Sequence, residues 1–188
     1  QIDAGNISTI KSMDNTHLLL GGNKGAFIYN TENGLLENIL NDTRAICFTF
    51  DKNYIYIGTE DRGVVRWSKE DKSTTTIATK DGLSCDFIYS LLLDDSMNVW
   101  VGTGCGIDEI SFLKDKIKVK SFGKSDGLIG VESNANAAFK DKQGNLWFGT
   151  TRGLFCFNSS VSALANTAPV VSFRSLKIFS EYLIPKAT

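Results

Sequence analysis

The side chains of this 188-residue chain with the most chemistry in them are one histidine, four cysteines and three tryptophans, and there is one glycine-rich run. His17 has no second histidine to pair with. That leaves few routes to acid/base or metal chemistry at neutral pH, and His17 reads as a surface or strand-end residue. Cys47, Cys85, Cys105 and Cys156 show no CxxC spacing, which argues against a zinc site. The run Gly102-Thr103-Gly104-Cys105-Gly106 invites a phosphate-loop reading, but it lacks the glycine spacing and the following helix of a dinucleotide site. Asp81 and Asp126 recur in register, which favours turn formation over paired-carboxylate catalysis. No catalytic, cofactor-binding or metal-ligating residue is assigned from these patterns, no cofactor is expected, and no single ligand-binding residue is named.

The charge balance narrows the classes further. Lys plus Arg is 20 and Asp plus Glu is 21, a net charge of -1, which argues against a nucleic-acid partner. The hydrophobic fraction of 42% is enough for a buried core. No apolar run approaches the roughly 20 residues that cross a bilayer, so no membrane contact is expected. Gln1-Ile2-Asp3-Ala4-Gly5 shows no signal-peptide pattern, and without an initial methionine the chain reads as a mature or excised piece.

The elements that position these residues come from a repeat. Gly21, Gly58, Gly102 and Gly149 each close a short apolar run, at spacings of 37, 44 and 47 residues. A second glycine follows each: Gly25, Gly63, Gly106 and Gly153. A large residue lies four positions on, at Tyr29, Trp67, Ile110 and Phe157, and a small polar residue closes each unit. The segments are short, aromatic or β-branched, and bounded by Gly, Asn or Asp, so they read as strands, with no sustained helical period. In the third unit the strands are expected at 87–93, 98–102, 107–111 and 117–122. In the fourth they are expected at 136–140, 146–149, 154–157 and 170–178. A four-stranded meander at this period is a β-propeller blade. The fold class is therefore all-β, a propeller segment of four four-stranded blades, as a small ring or an incomplete one. The blades run over about 1–42, 43–85, 86–130 and 131–165, and residues 166–188 form a last outer strand or begin a following immunoglobulin-like domain. The residue two before each anchor (Leu19, Tyr56, Trp100, Trp147) is expected to pack between blades. Each second glycine is expected at a positive φ in a hairpin turn.

Asp141-Lys142-Gln143-Gly144-Asn145-Leu146-Trp147-Phe148-Gly149-Thr150-Thr151-Arg152-Gly153-Leu154 closely resembles the two-component regulator propeller repeat. Asp94 to Gly106 matches it with Met97 in place of the turn glycine. Lys80-Asp81-Gly82-Leu83 and Ser125-Asp126-Gly127-Leu128 look like the family's element before each new inner strand. Asn33-Gly34-Leu35 follows its anchor by 13 residues where those two follow by 24 and 25, and reads as a turn between the third and fourth strands. The resemblance covers about 14–158, with the two later copies the more specific. Ala168-Pro169-Val170-Val171-Ser172-Phe173 looks like the family's junction into an immunoglobulin-like module named for three tyrosines.

The resemblance implies a non-catalytic, periplasmic sensor or ligand-binding module of a two-component sensor histidine kinase, responsive to glycans. The alternatives are a propeller-type carbohydrate-active enzyme or a structural, protein-binding propeller. An oligosaccharide ligand and self-association or a dimer partner are the partners expected. In such a blade the loop entering it and its second hairpin turn emerge on one face. Cys85 and Cys105 fall there and are the one pair placed to form a disulfide, whereas Cys47 and Cys156 fall on strands and read as small buried residues. Residues on that face which break the repeat are Asn23, Lys24, Glu60, Asp61, Arg62, Asp86, Glu132, Asn134, Thr151 and Arg152.

Overall fold

The computed structural model describes residues 4–113, 116–128, 132–158, 176–178 and 181–183. The chain divides into a unit of residues 1–158 and a second of residues 159–188. Every sheet of the first unit is an antiparallel meander in sequence order. The first runs β1 (Ile7–Ser12), β2 (His17–Gly22), β3 (Gly25–Asn30) and β4 (Leu36–Leu40). The second runs β5 (Ala45–Phe50), β6 (Tyr54–Thr59), β7 (Val64–Ser68) and β8 (Thr74–Ile77). The third runs β9 (Ile88–Leu93), β10 (Val99–Thr103), β11 (Ile107–Leu113) and β12 (Lys116–Phe122). The fourth has three strands among the described residues, β13 (Ser133–Lys140), β14 (Leu146–Thr150) and β15 (Gly153–Phe157).

The expected fourth strand of that sheet, 170–178, falls mostly outside the described residues. In the second unit β16 (Leu176–Ile178) pairs with β17 (Glu181–Leu183) as a hairpin of its own. The expected immunoglobulin-like junction at 168–173 also lies outside the described residues.

The first strands of the four sheets line a common axial cavity of about 400 Å³, to which Lys11, Phe48, Ser90 and Asn136 each contribute. Across it the Asn136 side-chain amide donates to the carbonyl of Ile46 at 3.4 Å. This is a propeller segment, and its blades are held by apolar seams. Leu19, Ile57 and Trp67 share one cluster between sheets one and two. Tyr56, Val64, Ile88 and Val101 share the next, and Trp100, Leu146 and Phe148 the one after. In the first three sheets the residue two before the anchor (Leu19, Tyr56, Trp100) thus faces the following sheet. Trp100 is 6% exposed in that position.

The fourth copy differs. Trp147 is only half-buried, Phe139 beside it is 65% exposed and Leu154 is 66% exposed. Cys156, on the same face, is exposed rather than buried as its strand position suggested. Among the described residues no sheet covers this face.

The second glycines have two physical causes. Gly25, Gly63 and Gly153 take φ of 115, 73 and 141°, as expected. Gly106 does not adopt a positive φ; there a Cβ would lie 2.6 Å from the carbonyl oxygen of Phe122 on the outer strand, so close backbone approach requires the glycine.

A second register sits in the turns between first and second strands of each sheet. Asp14, Asp51, Asp94 and Asp141 each accept backbone N–H groups of their own turn. Each also fastens a side chain at the start of the next strand. Asp94 and Asp141 accept the indole N–H of Trp100 and Trp147 at 3.0 and 2.8 Å, and Asp51 accepts the Tyr56 hydroxyl at 3.0 Å. Asp14 takes the ring of His17 at 3.1 Å, and the Asn30 amide donates to the other ring nitrogen. His17 is thereby a strand-end fastening. The Asp-Gly-Leu elements form 3-10 turns at Thr79–Asp81 and Lys124–Asp126, where Asp81 and Asp126 accept the N–H of Ala78 and Gly123.

These turn acids make stability acid-dependent. Hydrogen bonds, chiefly from the Thr16 N–H, hold the Asp14 carboxyl down at about 2, and the Trp147 indole N–H is the main cause lowering Asp141. A carboxyl depressed by folding stabilises the fold above its ordinary value and loses that contribution as pH falls through its folded value. An NMR titration is expected to place the Asp14 midpoint near 2. Urea midpoints are expected to fall as pH drops from about 4, and Asp141→Asn is expected to flatten that fall. A midpoint for Asp14 at its ordinary value of 3.8 would contradict the assignment.

Candidate functional site

One face of the propeller carries the loops between sheets and the second hairpin turns of each sheet. Three of those turns are built by a threonine directly after the anchor glycine. Thr59, Thr103 and Thr150 hydroxyls donate to the carbonyls of Gly63, Gly106 and Gly153, and each also accepts an N–H inside the turn. The Gly-Thr pairs are turn locks, which disposes of the phosphate-loop reading of 102–106.

A polar cleft of about 590 Å³ opens on this face between sheets one and two. It gathers Asn23, Glu60 and Asp61 from the repeat-breaking set, with Asp42, Thr43 and Arg44 from the loop between the sheets. Much of its wall is fixed. The Thr43 hydroxyl donates to Asp61, and Asn23 accepts the N–H of Asn6 at 2.8 Å. Arg62 is spent on the wall: its guanidinium donates to the carbonyls of Asp42 at 2.6 Å and Asn41 at 3.4 Å. Asp42 is held at φ 58°, a conformation non-glycine residues take at a cost. The Arg44 guanidinium and the Glu60 carboxylate are exposed at the rim.

The other repeat-breaking residues disperse. Asp86 holds Thr79 through its N–H at 2.7 Å and its hydroxyl at 3.1 Å. Glu132 lies by the Tyr89 hydroxyl at 3.5 Å. Lys24, Asn134, Thr151 and Arg152 are exposed elsewhere on the first and fourth sheets.

Sheet three supplies two further features. Cys85 and Cys105 form a disulfide, with Cα atoms 5.7 Å apart. A fully buried carboxylate supports them: Asp108 accepts the Ser84 N–H at 2.9 Å and its hydroxyl at 2.8 Å. That hydroxyl also meets Thr103 at 2.9 Å, tying the incoming loop to the turn. Asp108 stands where the register elsewhere holds Phe27, Val65 and Phe155. Beside the bond, Phe87 and Tyr89 place their half-buried rings 4.5 Å apart. Nothing local in the sequence marks Phe87 and Tyr89; only their position at the mouth of the loop face gives them meaning. The remaining thiol in the core, Cys47, is pushed up to about 12 by burial and stays protonated.

Residues 130–152 match the sequence pattern of the family described as two component regulator propeller. Over 101 residues it is 27% identical to a histidine kinase, P4, of Formosa agariphila, a match that covers 54% of this chain and 7% of the kinase. Among solved structures it is similar to the extracellular domain of a hybrid two-component system of B. thetaiotaomicron, with a TM-score of 0.69 and 21% identity over 85% of this chain and 22% of that one. A structure of an extracellular domain assigned to a one-component system of the same organism gives 0.64 and 19% over 96% and 26%. At these identities the structures speak to the fold alone. The chain spans about a quarter of the length of those domains and 7% of the kinase. No helix among its described residues is long and apolar enough to cross a membrane.

The disulfide gives a direct test. Non-reducing mass spectrometry after alkylation is expected to find Cys85 and Cys105 linked and Cys47 and Cys156 free. Reduction should lower the urea-unfolding free energy by about 3 kcal/mol, the loop-closure entropy of a loop of this order. Four alkylated cysteines in the oxidised protein would contradict the assignment.

Proposed function

We propose that the chain is a non-catalytic sensor segment of a histidine kinase or related receptor, acting outside the cytoplasmic membrane, in the periplasm, on an oligosaccharide. The observation that carries the reading is the loop-face cleft, in which planar amide, carboxylate and guanidinium groups surround a polar volume. Such a lining suits a ligand rich in hydroxyl groups, each of which donates and accepts. The aromatic pair Phe87 and Tyr89 on the same face adds ring surface for an apolar sugar face. The repeat match and the kinase relative support a receptor context. The module would act by favouring one receptor arrangement, to the extent that the ligand binds that arrangement more tightly.

A second reading, a propeller that docks another protein or a second copy, is favoured by the bare face of Phe139, Trp147 and Leu154.

Titration calorimetry of the chain against a panel of neutral and acidic oligosaccharides tests the first reading. At least one is expected to bind saturably. Arg44→Ala and Glu60→Gln are expected to weaken it about tenfold, the effect of one lost charge-assisted hydrogen bond. Because both residues are exposed, melting temperatures should hold. A panel without binders, or variants that bind as the parent does, would refute the cleft.

A further inference from the structure

On the opposite face, where the turns between first and second strands lie, sheets two and three enclose a smaller cleft of about 270 Å³. Its centre is Arg66 on β7. The guanidinium lies 4.5 Å from the ring centroid of Tyr54 and 4.7 Å from that of Phe112, so the two rings hold it from two sides. Its register mates in the other sheets are Ile28, Glu109 and Cys156, so the repeat does not require an arginine here. Among the described residues no carbonyl or carboxylate accepts a hydrogen bond from it. The cation is held over two ring faces while its N–H groups are left for another acceptor.

A second observation is independent of the arginine. Met97, on the cleft rim, occupies the turn position that holds Gly144 in the fourth copy. It takes φ 64° where that glycine takes 84°, and its side chain is 50% exposed. A non-glycine residue in the left-handed region costs about 1 kcal/mol or more, and such strain gathers at functional sites. Its side chain adds apolar surface to the rim of the cleft that Arg66 also lines.

The charges of the cleft fix the ligand's sign. Asp51 lines it and keeps its negative charge, with its carboxylate held by the Tyr56 hydroxyl and the N–H groups of Asn53 and Tyr54. Lys52 and Arg66 together outweigh that one acid, so the lining is cationic on balance. We propose that this cleft binds a small carboxylate carried on a ring or apolar body. The carboxylate takes the Arg66 fork as a bidentate pair, and the body lies against Met97 and the Phe112 ring edge. This site is distinct from the loop-face cleft and does not depend on the oligosaccharide reading.

The test uses the whole chain and two pairs of probes, benzoate with its neutral isostere benzamide and D-glucuronate with D-glucose. The readouts are the Arg66 Nε–H and Met97 methyl resonances. Saturable shifts are expected with a carboxylate and not with its neutral partner, and the stronger of the two carboxylates tells an apolar body from a sugar body. Arg66→Gln is expected to weaken binding about tenfold, as loss of a bidentate charged pair implies. Arg66→Lys should recover only part of it. If Arg66→Gln does not fold, Met97→Gly carries the variant arm, since it installs the repeat's own residue; it should raise the melting temperature and weaken binding severalfold. No saturable shift with either carboxylate, equal shifts with benzamide or glucose, or folded variants that bind as the parent does would each overturn the proposal.

Discussion

The structure depends on how closely one sheet's inner strand comes to the anchor glycine of the sheet before it. A Cβ built on Gly21 would lie 2.8 Å from the Phe48 ring. On Gly58 it would lie 2.7 Å from Ile88, and on Gly102 2.7 Å from the Ser133 hydroxyl. Each Cβ would also meet the inner strand of its own sheet, at 2.6 Å from Thr9 and closer still to the Cys47 sulfur and the Ser90 hydroxyl. Real Cβ atoms do not approach that closely, so these positions admit no side chain without moving both inner strands. Around that contact the inner strands carry small residues opposite the glycine: Thr9, Cys47 and Ser90. The larger neighbour two residues before the anchor then fills the wider space further out. Wedge-shaped packing of this kind turns a row of meanders about an axis, and it brings the loops between sheets to one face and the acid-fastened turns to the other.

The two faces are consequently built by different chemistry. On the loop face, Gly-Thr locks and the Cys85–Cys105 bond hold the turns rigid, and the side chains above them are free to vary. On the other face each turn acid fastens an indole, a phenol or an imidazole, so that a carboxylate at the turn and an aromatic group on the strand form one unit. Tyr56 shows the consequence: burial and the neighbouring Asp51 carboxylate push its hydroxyl well above its ordinary value, which keeps it a hydrogen-bond donor to that acid. Arg66 then stacks within the same aromatic group in sheet two.

Much of this architecture was legible in the residue order because it is local and repeated. The anchors, the strand pairs and the Asp-Gly-Leu turns recur at nearly constant offsets, and the Cys85–Cys105 contact followed from knowing which loops share a face. The turn acids were harder to see, because they precede the anchors by seven or eight residues and their partners change from His17 to Tyr56 to Trp100. Gly106 looked like its counterparts, yet carbonyl approach rather than φ explains it. The exposure of Cys156 and Trp147 depends on what lies against the fourth sheet, which no local pattern encodes. Both clefts join residues from neighbouring sheets through side-chain direction and loop path, so Arg44 with Glu60, and Arg66 with Phe112, had no signature in spacing.

The most direct measurement compares the anchors by urea unfolding. Gly58→Ala forces a methyl group into Ile88 and Cys47 and is expected to cost about 1–3 kcal/mol, the usual penalty of overpacking. Gly149→Ala meets only Ala137 of its own sheet, at 3.0 Å, and is expected to cost clearly less. Equal losses at the two positions, or a neutral Gly58→Ala, would mean that the sheets are not held by this approach and would contradict the account.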